Sequence, residues 1–485
     1  MDIKIDTSVV IIGIEEMLIF IDLGGTMTEY DLIVIGGGAA GLSAARAGVR
    51  GKRRVLLVSE GPLGGDCTFF GCVPSKALLE GAKRGDSFTD AIKHMRAAIA
   101  GIAANEDEET LVREGIDVIR DRAQFIDGTR IALGAKSYGA KRFVIATGAY
   151  PNVFPIEGLD LIAYLTNETV FDLEVAPKRT LVIGGGAIGC ELATALRGFG
   201  SNVTIVEFAS RLLPLEEERA SEIASSHLRA AGVAVKTGTK VTNFEVLAEV
   251  GSVAHLSNGE SVIFDKVIIA TGRRPRSTNL NLEAAGVAIN PNGSIKVDDR
   301  LITSNNRIAA VGDVNGLSPF THAADEQGRI AVQNLFVPLV KRHFNPTKIP
   351  HVTYLEPEVA SIGVIENGDS VSNPEKLRVV EFDLTKSDRD IVAKSTDGYI
   401  KLIAAPRRFT GFLLGGRIVG ATVVSPRAGE VINQIAMLVA LKTPLARAVF
   451  TVFAYPTFST PLRSAISRFF IKVDGEGWRP FQTKF

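Results

Sequence analysis

One pattern occurs twice in this chain and restricts its fold more than any other. The first copy reads Asp31-Leu32-Ile33-Val34-Ile35-Gly36-Gly37-Gly38-Ala39-Ala40-Gly41, then small residues, then Val55-Leu56-Leu57-Val58. The second reads Thr180-Leu181-Val182-Ile183-Gly184-Gly185-Gly186-Ala187-Ile188-Gly189, and later Val203-Thr204-Ile205-Val206-Glu207. Each copy is followed by an apolar strand ending Ala-Thr-Gly, at Ala146-Thr147-Gly148 and at Ala270-Thr271-Gly272. A short apolar run that enters glycine and then a helical stretch is the pattern of a buried parallel strand. A lone Gly-x-Gly-x-x-Gly says little. Two of them, each framed by strand and helix and followed by a second strand, predict two dinucleotide-binding units in an α/β fold.

Both turns follow the same physics. Gly36 and Gly184 make the tight turn, Gly38 and Gly186 admit a pyrophosphate, and Gly41 and Gly189 let helix pack on strand. The helix N-terminus then holds the phosphate charge. The second strand should end in an acid that receives the ribose hydroxyls. In the second copy that acid is Glu207, 23 residues after Gly184. The same offset from Gly36 lands on Ser59, with Glu60 one further on, and Glu60 is the expected acid of the first copy. A glycine-rich turn without a ligand is the plain alternative at either site.

Of three cysteines, two stand five apart in Cys67-Thr68-Phe69-Phe70-Gly71-Cys72, followed by Val73-Pro74-Ser75-Lys76. In a regular helix that spacing is too long for a relaxed disulfide, whose Cα atoms lie roughly 4.4–6.8 Å apart, so the segment must bend. Gly71 supplies backbone freedom. Pro74 suits a first helical turn and places Cys72 at or just before a helix N-terminus, where a thiolate is favoured. Beside a dinucleotide turn, such a dithiol reads as a redox pair. A structural zinc site, with His94 as the nearest further ligand, and a purely structural disulfide are the alternatives. Cys190, among small residues of the second glycine-turn helix, reads as an inert packing cysteine.

At 485 residues, 46% hydrophobic and 22% charged, the chain has room for two or three domains. Its formal net charge is zero, so nothing in the charge balance suggests a surface for nucleic acid or an anionic membrane. Residues 1–28 read as an N-terminal extension without a nameable function, too broken by Glu15 and Glu16 to span a membrane, and Met27 is an alternative start. With few cysteines and no recognisable secretory leader, a cytoplasmic location is expected.

From about Tyr30 onward the chain resembles the FAD-dependent pyridine nucleotide–disulfide oxidoreductases, the family of dihydrolipoamide dehydrogenase, glutathione reductase and mercuric reductase. The residues that carry the resemblance are Gly64-Gly65-Asp66-Cys67 through Lys76, both glycine turns, and Val311-Gly312-Asp313. The resemblance implies an FAD-binding domain over 29–152 and 273–344, an NAD(P)H-binding domain over 153–272 and a dimerisation domain over 345–485. It implies that Gly36, Gly38, Gly41, Glu60, Gly65, Thr147, Gly148, Asp313 and His322 serve FAD, with His322 otherwise a core histidine. Gly184, Gly186, Gly189, Glu207 and Gly272 would serve NAD(P)H. Cys72 would be the flavin-facing thiolate, Cys67 the exchanging thiol, and Lys76 with Glu191 the pair beside flavin N5. Lys76 lies one helical turn past Cys72, so a cation there would favour the thiolate.

The C-terminal segment departs from the family. Where most members carry His-Pro-Thr-x-x-Glu, this chain reads Tyr455-Pro456-Thr457-Phe458-Ser459-Thr460, and no histidine follows His351. Tyrosine titrates near pH 10 and is a poor base at neutrality, although it can donate a proton. Mercuric reductases share a tyrosine there but typically end in a cysteine pair, and no cysteine follows Cys190 here. His94, His227, His255, His343 and His351 read as surface or helix positions. The expected function is a homodimeric NAD(P)H-dependent flavoprotein reductase that opens a Cys67–Cys72 disulfide and passes electrons to a disulfide acceptor. NADH is preferred over NADPH on the strength of Glu207, with Arg211 as the reason for caution. A quinone or metal-ion reductase, mercuric-reductase-like, and a flavin-bound protein with little turnover are the alternatives. No resident metal is expected.

Overall fold

The computed structural model describes residues 9–14, 17–22, 29–248, 251–366, 373–473 and 475–482. They divide into two compact units, one of Met1–Gly64, Glu106–Gly148 and Pro275–Phe344, the other of Gly65–Asn105, Ala149–Arg274 and Asn345–Phe485. Val9–Ile14 and Met17–Asp22 pair as an antiparallel hairpin, and the rest of the expected extension lies outside the described residues.

In the first unit, the apolar strand Glu29–Ile35 lies between Val55–Val58 and Lys136–Ile145, parallel to both. Ile116–Ile119 and Ile308–Ala310 extend the parallel sheet on either side. Lys136–Ile145 is long enough to serve twice. Its first half pairs antiparallel with Arg130–Leu133, and its second half lies in the parallel sheet. Continuous apolar runs suit such strands because both faces are covered. Leu32, Ile33, Val34, Leu56, Phe143 and Ala309 are fully buried. The helix Ala39–Arg50 packs against Thr321–Phe336 so closely that a Cβ on Gly328 would lie 2.5 Å from the Ala40 carbonyl oxygen.

The second unit repeats the motif in Arg179–Ile183, flanked in parallel by Asn202–Val206 and Lys266–Ile269, with Ala234–Lys236 outermost. The antiparallel strands Val241–Leu247, Gly251–Leu256 and Ser261–Phe264 form a separate three-stranded sheet. The C-terminal part is an antiparallel sheet of six strands carrying the helices Ala428–Ala440 and Thr460–Ser467. The cysteine-bearing stretch 65–105 clusters with this unit, although the sequence reading runs the FAD-binding domain unbroken through 29–152. The reason lies in packing. Leu78, Ala91, Ile92 and Met95 share one apolar core with Val182, Cys190 and Leu196. Gly198 admits Ala82 so closely that a Cβ would lie 2.7 Å from it. Among the described residues no helix is long and apolar enough to cross a membrane.

A buried ionic cluster lies in the second unit. The Lys401 ammonium, with 7% of its side chain exposed, bonds to Glu217 and lies 3.2 Å from Glu366 and 3.3 Å from Glu381. Tyr399 Oη donates to Glu217 at 2.9 Å, and Arg479 clasps Glu366 through two 2.6 Å bonds. Taking one partner from such a cluster strands a desolvated charge, at a cost of about 3–5 kcal/mol. Lys401→Ala should therefore lower the unfolding free energy by about that much, read from the denaturant midpoint. A loss under about 1 kcal/mol, the range of an exposed pair, would show that water already screens Glu217.

Candidate active site

Three sites are built on these elements. In the first unit, Gly36 adopts φ +113°, and a Cβ there would lie 2.2 Å from the Ala146 carbonyl oxygen. A Cβ on Gly41 would lie 1.8 Å from the Gly36 carbonyl oxygen, so the helix starts directly on the strand. Gly38 caps that helix in extended conformation. Gly148, at φ +76°, has no atom within 4 Å of its Cβ position. Thr147 Oγ1 donates to the Arg276 carbonyl at 2.7 Å. Asp313 lies in the turn Gly312–Asn315, pinned by fully buried Gln327, whose Oε1 accepts from Gly312 N and Asn315 Nδ2 at 2.8 and 2.7 Å. His322 is exposed and stacks on Phe320 with ring centres 5.7 Å apart.

The two acids of the sequence reading are placed differently. Glu60 is exposed and clasped by Arg122 at 2.6 and 3.1 Å, while buried Ser59 faces the turn, its Oγ 2.7 Å from where a Gly37 Cβ would lie. Side chains alternate along extended backbone, so only one of two neighbours can face the turn. Glu207 in the second unit does face its turn. Its Oε2 accepts from Gly185 N at 2.5 Å and its Oε1 from Ala209 N at 2.7 Å. Arg211, four residues on, is engaged elsewhere, donating to the carbonyls of Pro214 and Glu216 at 3.0 and 2.9 Å.

The second glycine turn repeats the first. Gly184 adopts φ +110°, and a Cβ on Gly189 would lie 2.0 Å from the Gly184 carbonyl oxygen. Gly186 is different: its φ is −76°, open to any residue, and nothing lies within 4 Å of its Cβ position. Neither backbone nor packing demands glycine there, which leaves an approaching ligand as the reason. Gly272 likewise leaves its Cβ space open, at φ +104°.

The dithiol belongs to the second unit. Half-buried Cys67 lies in the helix Gly65–Phe69, and exposed Cys72 is the first residue of the helix Cys72–Arg84, with Gly71 as its cap. Gly71 bends the chain at φ −133° and ψ −113°, outside the helical and extended regions, as the sequence reading expected. Space is also tight there, since a Cβ would lie 3.0 Å from the Asp66 carbonyl oxygen and 3.4 Å from Cys67 Cα. Lys76 Nζ pairs with Glu191 Oε2 at 2.7 Å, and Glu191 is only 5% exposed. Two partners that the sequence reading missed complete the arrangement. Tyr354 N–H donates to the second Glu191 oxygen at 3.0 Å, and its ring lies under the Lys76 ammonium at 4.5 Å. Burial pushes the Tyr354 phenol up. Arg273 holds Asp66 Oδ2 at 2.6 Å, while Asp66 Oδ1 is buried without a hydrogen-bond partner. Only the neighbouring glycines, Gly65 and Gly272, hinted at that pair.

Cys190 is buried, its thiol donates to the Gly185 carbonyl at 3.3 Å, and desolvation pushes it far above the ordinary thiol range. His351, expected at the surface, is half-buried, with Nε2 2.9 Å from buried Glu216 and 2.8 Å from buried Ser361. Tyr455 is 70% exposed and donates its phenol proton to Asp388 Oδ2 at 2.9 Å. Accepting that bond, the Asp388 carboxylate holds the phenol above its ordinary range. Thr460 is turned inward, with Oγ1 donating to the Ala454 carbonyl at 3.2 Å.

The family model of the pyridine nucleotide-disulphide oxidoreductases matches residues 30–328, and that of their dimerisation domain matches 349–466. The chain belongs to this family. It is 31% identical to a mercuric reductase of Bacillus cereus over 464 residues, 91% of this chain and 72% of that protein. It is also 31% identical to a dihydrolipoyl dehydrogenase of Thermus scotoductus over 476 residues, 90% of this chain and 97% of that protein. Among solved structures, the Cu(II) complex of the HOCl-induced flavoprotein disulfide reductase RclA from Escherichia coli matches with TM-score 0.81 and 27% identity. That match covers 91% of this chain and 99% of that one. The chain is thus a pyridine-nucleotide-dependent flavoprotein disulfide oxidoreductase. Its residues fit both dinucleotides: two glycine cradles with open Cβ space at Gly148, Gly186 and Gly272, and a buried carboxylate oxygen on Asp66 still to be satisfied.

Gly186 gives the cleanest test of the second cradle. Gly186→Val should leave the thermal midpoint unchanged and raise the Kd for pyridine nucleotide by about tenfold or more, because the side chain takes the pyrophosphate's space. An unchanged Kd by calorimetry would remove Gly186 from the site.

Proposed function

We propose that this chain is an NADH-consuming, homodimeric reductase whose Cys67–Cys72 pair delivers electrons to a small disulfide, with Tyr455 as the proton donor to the leaving thiolate. The observation that carries this reading is the Tyr455 phenol, held protonated by Asp388 where most of the family keeps a histidine. Bound FAD would supply a two-electron relay between nicotinamide and dithiol. Cys72, at a helix N-terminus with the Lys76 cation one turn away, is favoured as a thiolate. Glu191 and the Tyr354 ring keep that cation in place. Cys67, the less exposed cysteine of the two, exchanges with the acceptor. The dimerisation-domain match supports a homodimer in which each copy offers Tyr455 to the other's dithiol. A small count of cysteines supports a reducing, cytoplasmic setting.

Preference for NADH over NADPH is supported by Glu207. Its carboxylate sits on the glycine turn where a 2′-phosphate would approach, and Arg211 is occupied by two carbonyls. The ratio of kcat/KM for the two nucleotides checks this, with NADH expected to lead by at least tenfold, the scale of about 1.4 kcal/mol.

A second reading, a thiophilic metal ion as acceptor, is favoured by the likeness to mercuric reductases and to the Cu(II) complex of RclA. It needs two thiols and no proton donor at 455. The two readings separate on a panel of lipoamide, oxidised glutathione, Cu(II) and Hg(II) with NADH. For a disulfide acceptor, Tyr455→Phe should lower kcat/KM by about 10²-fold or more. Tyr455→His should bring in a pH limb near 6.5 that the wild type lacks. Metal-ion turnover indifferent to Tyr455→Phe, with negligible disulfide turnover, would give the site to the second reading. Retention of acceptor turnover in Cys72→Ser would remove the dithiol from either.

A further inference from the structure

We propose that Asp388 is the positioning residue for Tyr455, a carboxylate from outside the family's C-terminal motif that takes over the task the motif's glutamate performs elsewhere. The inference rests on the reading of Tyr455 as proton donor. Three observations carry it. The position of the family's glutamate is Thr460, and its hydroxyl is spent on the Ala454 carbonyl and the Thr457 amide, so it cannot hold residue 455. Asp388 begins the short helix Asp388–Ala393 and accepts the Tyr455 proton at 2.9 Å. Both residues line one pocket, with Ser387, Arg389, Pro456 and Thr460 on its walls.

The surroundings define what Asp388 can do. The other charged groups at the pocket are Lys386 and Arg389. Lys386 is paired with Glu476 at 2.9 Å, and Arg389 lies over the Phe458 ring at 4.6 Å. The strand Arg378–Asp383 contributes only Phe382 and the helix Thr460–Ser467 only Thr460, Pro461 and Ser464, none of them titratable. Asp388 is therefore the one carboxylate lining the pocket; by accepting the O–H it holds the phenol in place and keeps its proton on until a departing thiolate draws it away. In the reaction, Cys67 thiolate attacks one acceptor sulfur, the acceptor S–S bond breaks, and the phenol turns its O–H from Asp388 to the departing thiolate, which takes the Tyr455 proton. The phenolate then recovers a proton from water. Cys72 thiolate next attacks Cys67 sulfur, forming the Cys67–Cys72 disulfide and releasing the second acceptor sulfur as a thiolate, which takes its proton from water. Two electrons leave the dithiol in all, and NADH restores them.

The test uses the full-length holoenzyme. Ultraviolet difference titration at 295 nm against Tyr455→Phe isolates this phenol from the other tyrosines and reads its titration without turnover. Asp388→Asn keeps the size and the hydrogen bond but removes the charge. It should move the phenol's titration to lower pH, because the charge that holds the proton on is gone. The alkaline limb of kcat/KM for a small disulfide should move in the same direction, while NADH-driven appearance of two reactive thiols per chain stays unchanged. In the Tyr455→Phe background, Asp388→Asn should add nothing. A phenol titration or an alkaline limb that does not move, or an Asp388→Asn effect that persists without the phenol, would overturn the assignment. Full disulfide turnover in Tyr455→Phe would overturn the donor reading and this inference together. Loss of the NADH-driven thiols in the wild type would instead locate the failure in the redox core.

Discussion

The Gly36 carbonyl oxygen occupies the space that a Cβ on Gly41 would need, and the Gly184 carbonyl does the same to Gly189. Everything else about the two dinucleotide sites depends on that contact. It lets each helix begin directly at the end of its strand, so that the first amides of the helix face outward as a group. A residue larger than glycine at 41 or 189 would push helix from strand by more than an ångström and dissolve the anion site. The positive φ of Gly36 and Gly184 serves the same end by reversing the chain within one residue. Gly186 has neither excuse, and so points past the protein to what the turn holds.

Around the dithiol, the structure spends its polar contacts on a single cation. Glu191 is buried inside an apolar helix face, a place where a lone carboxylate would be costly. Its two oxygens are answered separately, one by the Lys76 ammonium and one by the Tyr354 amide. The Tyr354 ring then covers Lys76 from another side. An exposed lysine with four free rotors would average its charge over a wide volume. Fixed in this way it keeps that charge one turn from Cys72, on the same face as the helix N-terminus that already favours the thiolate.

Much of this was legible in the sequence because it is local. The glycine spacing, the strands Glu29–Ile35 and Arg179–Ile183, and the bend between Cys67 and Cys72 follow from residues within a few positions of one another. The choice between Ser59 and Glu60 turned on side-chain alternation at the end of a strand, where one residue of slip reverses the face. Gly71 was read as the source of backbone freedom, which its φ −133° and ψ −113° bear out, while the close approach of the Asp66 carbonyl was not foreseen. Tyr354 and Asp388 were not legible at all, and Arg273 only through the glycine beside it. Each meets its partner across 67 to 207 residues of chain, and no short spacing announces such a contact. The grouping of 65–105 with the second unit had the same cause, since it rests on packing against Val182 and Leu196 far along the chain.

The changes at 455 and 460 are best understood together with Asp388. A histidine works near its own pKa, giving and taking a proton with little bias at neutral pH, and it needs a carboxylate to hold its ring in one tautomer. A phenol has a single proton, so tautomers are not the problem. Its problem is orientation, because the hydroxyl can point to either side in the plane of the ring. A glutamate placed to receive an imidazole N–H is not placed to receive a phenolic O–H that lies farther from the backbone. Once tyrosine stands at 455, the carboxylate must come from wherever the hydroxyl reaches, and here that is the start of the helix Asp388–Ala393. Thr460, released from that duty, turns inward to close its own helix start against Ala454 and Thr457. The motif thus reads as degraded along the chain, while in space a phenol and a carboxylate still face each other at 2.9 Å.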